Sequence, residues 1–402
     1  MKLKHLLATS ALLAAMPFGV AHAQTGQTVK IGVLNDQGGP YSSITGPGAV
    51  AAARLAIEDA GGTLFGKPIE LVSADHQHKP DVGSAIARRW YDAEGVGAIF
   101  DIYNSGVALA VQKLAEEKNK IVVSTVNTLD ITGKSCSANG MQWGADSYAH
   151  SNITVKGAYK GKPESWYFIT VDYSAGHSME KAARTAIEAG GGKFLGAVRY
   201  PLGSTDFSSY LLQAQASKAD VVALIGGGTD LLNGIKQADE FQIRKTKQRL
   251  IPFSFSTADA VALGNKTTAG FPLVLSFYWD ESPATRTWTE RFRKVNGGKL
   301  PTDLQANVYS AVLHYLKAVK AAGTTDTKAV LAKMKEMPVT DFYTAGAHIR
   351  EDGRLMRQML YAEVKAPEQM KNKDDLISVV KKFSGEESFM PRALSECPLI
   401  KK

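Results

Sequence analysis

The chain has 402 residues, enough for two or three domains of ordinary size, with 44% hydrophobic and 21% charged residues. That composition excludes disordered and fibrous architectures, and two cysteines exclude a disulfide scaffold or a cysteine-built metal cluster. The formal charge is +8, but the densest basic stretch is only Arg244, Lys245, Lys247 and Arg249. Elsewhere the signs alternate, so the surplus reads as a solvated surface, with no nucleic-acid partner expected.

In chain order the first element is a leader. Lys2 and Lys4 precede an apolar run over 6–20, broken by Pro17, and Ala21-His22-Ala23 supplies small residues for cleavage. The pattern predicts a secretory signal peptide over 1–23, cleaved after Ala23, and the run of about 15 residues is short for a membrane span. The mature chain is expected to be soluble and exported. In an oxidising compartment Cys136 and Cys397 are expected to pair. Such a bridge closes a very long loop, for which chain entropy sets an upper bound of about 5 kcal/mol.

From residue 29 onward, short apolar runs rich in β-branched residues alternate with helical periodicity. Strands are expected at 29–34, 69–73, 96–102 and 121–126, with helices at 46–60, 81–92, 105–118 and 147–159. The cadence repeats with strands at 166–171, 194–200, 221–225 and 250–255, and helices at 176–190, 206–217, 229–240 and 257–263. Two successive βα sets predict two similar α/β lobes, each a doubly wound parallel sheet. The last third differs. It reads as a strand at 271–279, a helix at 284–295, a long helix after Pro301 with Leu304, Val308, Val312, Tyr315 and Val319 in one stripe, and a short helix at 326–336. A final strand at 359–364 precedes a charged tail. No low-complexity linker separates the lobes, so the chain is expected to cross between them more than once.

In an open parallel sheet, ligands sit beyond the carboxyl ends of the strands where strand order reverses. For the order 2-1-3-4-5 the relevant loops follow the first, third and fourth strands of each lobe. They carry Tyr41-Ser42-Ser43, Tyr103-Asn104-Ser105 and Ser124-Thr125-Val126-Asn127 in the first lobe. In the second they carry Tyr173-Ser174, Gly226-Gly227-Gly228-Thr229 and Ser256-Thr257-Ala258-Asp259. Ser105 and Thr229 fall at expected N-caps, where free backbone N–H groups attract anions. The hydroxyls of Ser42, Ser43, Thr125 and Thr257 complete a shell for a carboxylate. Tyr41, Tyr103 and Tyr173 offer apolar walls with polar tips, and Asp259 is the acid that can accept an ammonium. The loops after the second strands, His76-Gln77-His78 and Gly203-Ser204, lie away from this point, and the histidine pair reads as solvated rather than metal-binding.

Enzyme signatures are incomplete. Gly46-Pro47-Gly48-Ala49-Val50-Ala51 fits G-x-G-x-x-A but stands too far from the strand end for a dinucleotide turn, and Gly176-His177-Ser178-Met179-Glu180 lacks the closing glycine of a nucleophile elbow. No catalytic residue, metal or cofactor is expected. A nucleotide-dependent enzyme and a soluble amide or amino-acid sensor on the same fold are the alternatives.

With these residues in place, the sequence resembles the Leu/Ile/Val-binding protein family, the type I periplasmic solute-binding proteins of ABC importers. The likeness lies in Val29-Lys30-Ile31-Gly32-Val33-Leu34 with Gly39-Pro40-Tyr41-Ser42, in Gly66-Lys67-Pro68-Ile69-Glu70-Leu71, in Asn104-Ser105-Gly106-Val107-Ala108-Leu109-Ala110-Val111, and in Ala306-Asn307-Val308-Tyr309. The resemblance implies two lobes joined by three crossovers near 145, 276 and 357. Residues 24–145 with 277–356 then form lobe 1, and 146–276 with 357–402 form lobe 2 and its tail. It implies a periplasmic monomer that binds a small carboxylate-bearing ligand and delivers it to a membrane permease. A carboxylate site carries over onto Ser105 and Thr125, with Asn127 where a Thr is usual, and an ammonium site onto Asp259, one methylene shorter than the family's Glu. Tyr173 lies near a family tyrosine. Trp143 and Phe277-Tyr278-Trp279 crowd the expected hinge, which argues for a larger or non-amino-acid ligand, such as an organic or aromatic acid.

Overall fold

A computed structural model describes residues 27–401 of the chain. The predicted leader lies outside the described residues.

The first lobe follows the expected cadence: β1 (Lys30–Asn35), α1 (Gly46–Asp59), β2 (Glu70–Asp75), α2 (Pro80–Asp92), β3 (Ala98–Asp101), α3 (Ser105–Glu117) and β4 (Ile121–Ser124). A fifth strand, β5 (Gly140–Gln142), was not anticipated, because three residues carry too little periodicity to read. All five strands are parallel, in the order β2-β1-β3-β4-β5. β3 and β4 are buried along their whole length while the edge strand β2 is half exposed, which is why the central strands read as unbroken apolar runs.

The second lobe contains α4 (Ser147–Ala158), β6 (Ser165–Val171), α5 (Ser174–Ala189), β7 (Lys193–Tyr200), α6 (Ser208–Ala216), β8 (Val221–Ile225), α7 (Gly228–Glu240), β9 (Arg249–Phe253) and α8 (Thr257–Leu263). Its parallel sheet runs β9-β8-β6-β7, the same topology with four strands. Each sheet has an apolar core on both faces. Val33, Phe100 and Val123 point to one side of the first sheet, Leu34, Ile99 and Val122 to the other. Ile169 and Leu224 oppose Phe168 and Ala223 in the second. The fold is α/β, with two doubly wound lobes.

The remainder is divided between the lobes. β10 (Pro272–Leu275) pairs antiparallel with β11 (Met359–Val364), which pairs with β12 (Ile377–Phe383). Between them, α9 (Pro283–Val295), α10 (Asp303–Ala322) and α11 (Thr327–Glu336) supply Phe292, Val308, Val312, Tyr315 and Met334 to the core of the first lobe. The strand expected over 271–279 stops at Leu275, beyond which the side chains divide between cores: Leu275 and Tyr278 pack in the second lobe, Phe277 in the first, and half-buried Trp279 against both.

Two expectations are corrected. The charged tail is structured: β12 hides in a lysine-rich stretch because one face is open to solvent, and Phe389, Cys397 and Ile400 beyond it are buried. Nor do the hinge aromatics line a ligand space. Trp143 is wholly buried and its indole N–H donates to Ser310 Oγ at 3.0 Å. Phe277 stands edge-on to Trp288, which stacks on Phe342 with centroids 4.5 Å apart. These rings fill the lobe 1 core. Cys136 and Cys397 form a disulfide with Cα atoms 5.7 Å apart, fastening the tail across 261 residues of sequence.

Candidate functional site

The loop after β1 is shaped by Asp36. Its carboxylate accepts the backbone N–H groups of Gly39 (2.5 Å) and Tyr41 (2.7 Å) and meets His78 Nε2 at 2.7 Å. Burial alone would raise this carboxyl, but the bond from His78 and the two amides outweigh it and hold it below the ordinary range. Tyr41 is thereby fixed, with its ring 5.1 Å from His78 and 5.3 Å from Tyr103, both edge-on. The reading of His76 and His78 as solvated is corrected. His76 is fully buried, and burial, helped by the neighbouring His78, pushes it down to about 4. β2 lies beside β1, so the loop after β2, placed by the sequence reading away from the site, shares a wall with the loop after β1. Among the described residues no group of three or more histidine, cysteine or acidic side chains is disposed to hold a metal.

The tip of β3 is strained. Asp101 (φ 80°) and Ile102 (φ 51°) occupy positive-φ backbone that non-glycine residues rarely adopt. Asp101 is held there by Asn35 Nδ2 (2.8 Å), by Thr45 Oγ1 and by Thr125 Oγ1 (2.5 Å). Burial raises its carboxyl despite those three bonds. The hydroxyl proton of Thr125 is therefore directed at Asp101. The cap of α3 is Asn104, whose Oδ1 accepts from Val107 N at 3.1 Å, so the expected capping role of Ser105 is corrected: it is the first helical residue. Ser105 is fully buried and its hydroxyl has no hydrogen-bond partner.

In the second lobe, Tyr173 occupies the N-cap position of α5, and its phenol is pushed up to about 12 by burial. Gly227, not Thr229, is the N-cap of α7, a second correction to the capping scheme. Gly228 has φ +60°, and a Cβ there would stand 2.1 Å from the carbonyl oxygen of Pro40 in the opposite lobe, so only glycine fits. Thr229 is exposed and donates its backbone N–H to that same oxygen at 3.2 Å. Ser256 and Asp259 form a capping box: Asp259 Oδ2 accepts from Ser256 N (2.9 Å) and Oγ (2.7 Å). Its other oxygen has no partner, and burial pushes the carboxyl up to about 6.

The loops meet between the lobes. The hydroxyls of Tyr41 and Tyr173 are 2.9 Å apart, and Asn127 Nδ2 donates to Tyr103 Oη and to Ser254 Oγ, each at 3.0 Å. Tyr41, Tyr103, Asn127 and Tyr173 line one space together with Met179 and Ser254. It measures about 20 Å³, scarcely more than one water occupies. The other candidates stand apart. Ser42 is half-buried and donates to Gly39 O at 2.8 Å, Ser43 is exposed, and Thr257 is half-buried at the start of α8, while Ala258 packs against Tyr41 and Tyr103. Asp101, Met179 and Ser254 escaped the sequence reading. Of these only Asp101 carried a signal, as an acid ending an apolar strand.

The arrangement is a pair of matched strand tips closed on each other, with polar atoms from both lobes facing a small interior. Residues 28–373 match the periplasmic binding protein family. A periplasmic binding protein from Burkholderia mallei, known from its crystal structure, is 39% identical with a TM-score of 0.90, over 93% of this chain and 99% of that one. A branched chain amino acid ABC transporter periplasmic ligand-binding protein from Burkholderia xenovorans LB400 is 38% identical with a TM-score of 0.83, over 93% of this chain and 100% of that one. Leu/Ile/Val-binding protein homolog 6 of Brucella melitensis is 25% identical over 325 residues, 78% of this chain and 81% of the relative. The twin sheets, the closed tips and a match that runs almost from end to end agree: the chain belongs to the periplasmic binding protein family.

Proposed function

We propose that the protein captures a small amino acid or related carboxylate between its lobes and delivers it to the permease of an ABC importer. The observation that carries this reading is the set of polar atoms left without partners at the facing tips: Ser105 Oγ, Asn127 Oδ1 and Asp259 Oδ1. Buried polar atoms are nearly always hydrogen-bonded; Asn127 lines the inter-lobe space and Ser105 and Asp259 stand at the starts of α3 and α8 on the neighbouring tips, so each is open to a partner that brings its own groups. Two of them accept, as an ammonium requires, and the serine hydroxyl donates to a carboxylate. The Burkholderia xenovorans relative, named for branched-chain amino acids, supports the same class.

On this reading the chain crosses between lobes near 145, 276 and 357, with lobe 1 comprising 24–145 and 277–356. The leader is removed after Ala23, the monomer works in the periplasm, and binding involves no covalent chemistry. Opening separates Tyr41 from Tyr173, and a solute touching both lobes shifts the population back toward closure. The test is mass spectrometry of solutes that copurify, followed by calorimetry and small-angle scattering with the branched-chain amino acids. Binding with compaction is expected. No binding by any amino acid or carboxylate, with no compaction, refutes the proposal.

A further inference from the structure

The tail starts on the second lobe and ends on the first. β12 pairs with β11, whose Leu360 and Ala362 belong to the second lobe's core, and beyond β12 the side-chain amide of Asn152 in α4 donates to Glu387 O at 3.0 Å. Three residues later the attachment changes. Arg350 Nη1 donates to Met390 O at 2.8 Å, Arg392 pairs with Glu351 at 2.8 Å, and Cys397 is bonded to Cys136. These anchors lie in the first lobe. Ile349 and Leu355, on either side of Arg350 and Glu351, are part of its core, and Gln112 of α3 donates to Ser135 O at 2.7 Å beside Cys136.

The change of lobe takes place at the hinge. Phe389 packs in one buried cluster with Ala145, Val274, Met356 and Met359, which stand beside the three proposed crossovers, and Arg354 Cζ lies 4.4 Å from the centre of its ring. Rotation of one lobe against the other must therefore move residues 389 and 390 as well. Under the tail the seam is loosely filled. A cavity of about 600 Å³ is bounded by Thr132 and Lys134 of the first lobe, Ser178 and Lys181 of the second, and Met390 and Leu394 of the tail, so packing alone does not lock the lobes on this side. Apart from the disulfide, the tail's end is held by one hydrogen bond, by a half-exposed ion pair and by the burial of Cys397 and Ile400. Exposed ion pairs contribute little and a terminal segment held in this way frays readily, whereas a covalent bond does not.

We infer that residues 384–397 form a fourth crossover between the lobes, closed covalently by the Cys136–Cys397 bridge, and that this crossover limits how readily the lobes open. The inference rests on the reading of the protein as a two-lobed clamp and adds to it a restraint on the hinge. Removing the bridge frees the tail's end from the first lobe and leaves three crossovers to hold the lobes together.

The experiment is amide hydrogen exchange on the full chain without added solute, comparing the native protein with Cys136→Ser/Cys397→Ser. The backbone N–H of Thr229, at the start of α7, donates to Pro40 O of the opposite lobe at 3.2 Å and exchanges when the lobes part. The amides of β8, a wholly buried strand, exchange only when the second lobe unfolds. Thr229 is expected to exchange ahead of β8 in the variant and about five- to tenfold faster than in the native chain, the low end of coupling between distant sites. Equal Thr229 rates in the two proteins, still ahead of β8, overturn the fourth crossover and leave the clamp standing. A faster rate that merely tracks β8 is global destabilisation and overturns it too. Thr229 exchanging in step with β8 in both proteins means that the lobes part only on unfolding, which overturns the clamp and the crossover together. Native protein treated with dithiothreitol, one dithiol closing to its cyclic disulfide as the bridge opens to two thiols, is expected to show the same acceleration and decides alone should the variant not fold. An equal acceleration in Glu351→Gln, whose bridge is intact, overturns the role given to the bridge.

Discussion

Gly228→Ala places one methyl group at the contact on which closure depends. The new Cβ stands 2.1 Å from Pro40 O and 2.8 Å from Tyr41 Cδ1, so the lobes must part by about 1 Å to restore ordinary carbon–oxygen contact. Two effects separate. The φ of +60° costs alanine about 1–2 kcal/mol in the open and closed forms alike, which lowers the melting point of the empty protein. The parting acts on the closed form alone. It stretches the bond from Thr229 N to Pro40 O (3.2 Å) and the Tyr41–Tyr173 bond (2.9 Å), each worth about 0.5–1.5 kcal/mol net. Closure therefore loses about 1–3 kcal/mol, and solute affinity falls about 5–150-fold. Calorimetry reads the affinity, scattering reads the compaction, and denaturation of the empty protein reads the backbone cost. A variant that melts earlier yet binds and compacts like the native chain refutes the role given to this contact.

Ser105→Ala is expected to leave the empty protein's melting point unchanged, since its hydroxyl has no partner, and to weaken solute binding by about 0.5–1.5 kcal/mol. Thr125→Ala, by contrast, strips Asp101 Oδ1 of its donor and is expected to destabilise the fold by about 1–3 kcal/mol; equal melting points for the two variants contradict that distinction. Asp259 is pushed up to about 6 from 3.8, so its contribution to stability is complete below the lower value and is lost as pH rises through the higher. Asp259→Asn is therefore expected to flatten the fall in urea midpoint between pH 4 and 6, with Asp303, also near 6, supplying the slope that persists in both proteins; superimposable profiles refute the assignment. Replacing both Cys136 and Cys397 by serine is expected to cost less than the chain-entropy bound of about 5 kcal/mol, because the tail is able to detach before the lobes unfold. Limited proteolysis of that variant is expected to cut first within 384–397, and an unchanged cleavage pattern counts against a detachable tail.

The periodicity of the chain alone determined the two α/β lobes. Central strands such as β8, buried on both faces, appear as continuous apolar runs whatever surrounds them, and turn chemistry brackets them. The same logic put Tyr41, Tyr103, Asn127 and Tyr173 at strand tips, and the tips do share one space. What sequence spacing does not encode is which tip touches which. That Thr125 turns to Asp101, that Asn104 rather than Ser105 caps α3, and that His78 stands against Tyr41 depend on side-chain directions and on loops from neighbouring strands. The hinge aromatics show the limit most clearly. Trp143 and Phe277 are the same apolar residues whether they wall a ligand or fill a core, and only the packing of α9 and α10 against them put them in the core. Local propensity is a property of neighbours along the chain, whereas a binding site is a property of neighbours in space.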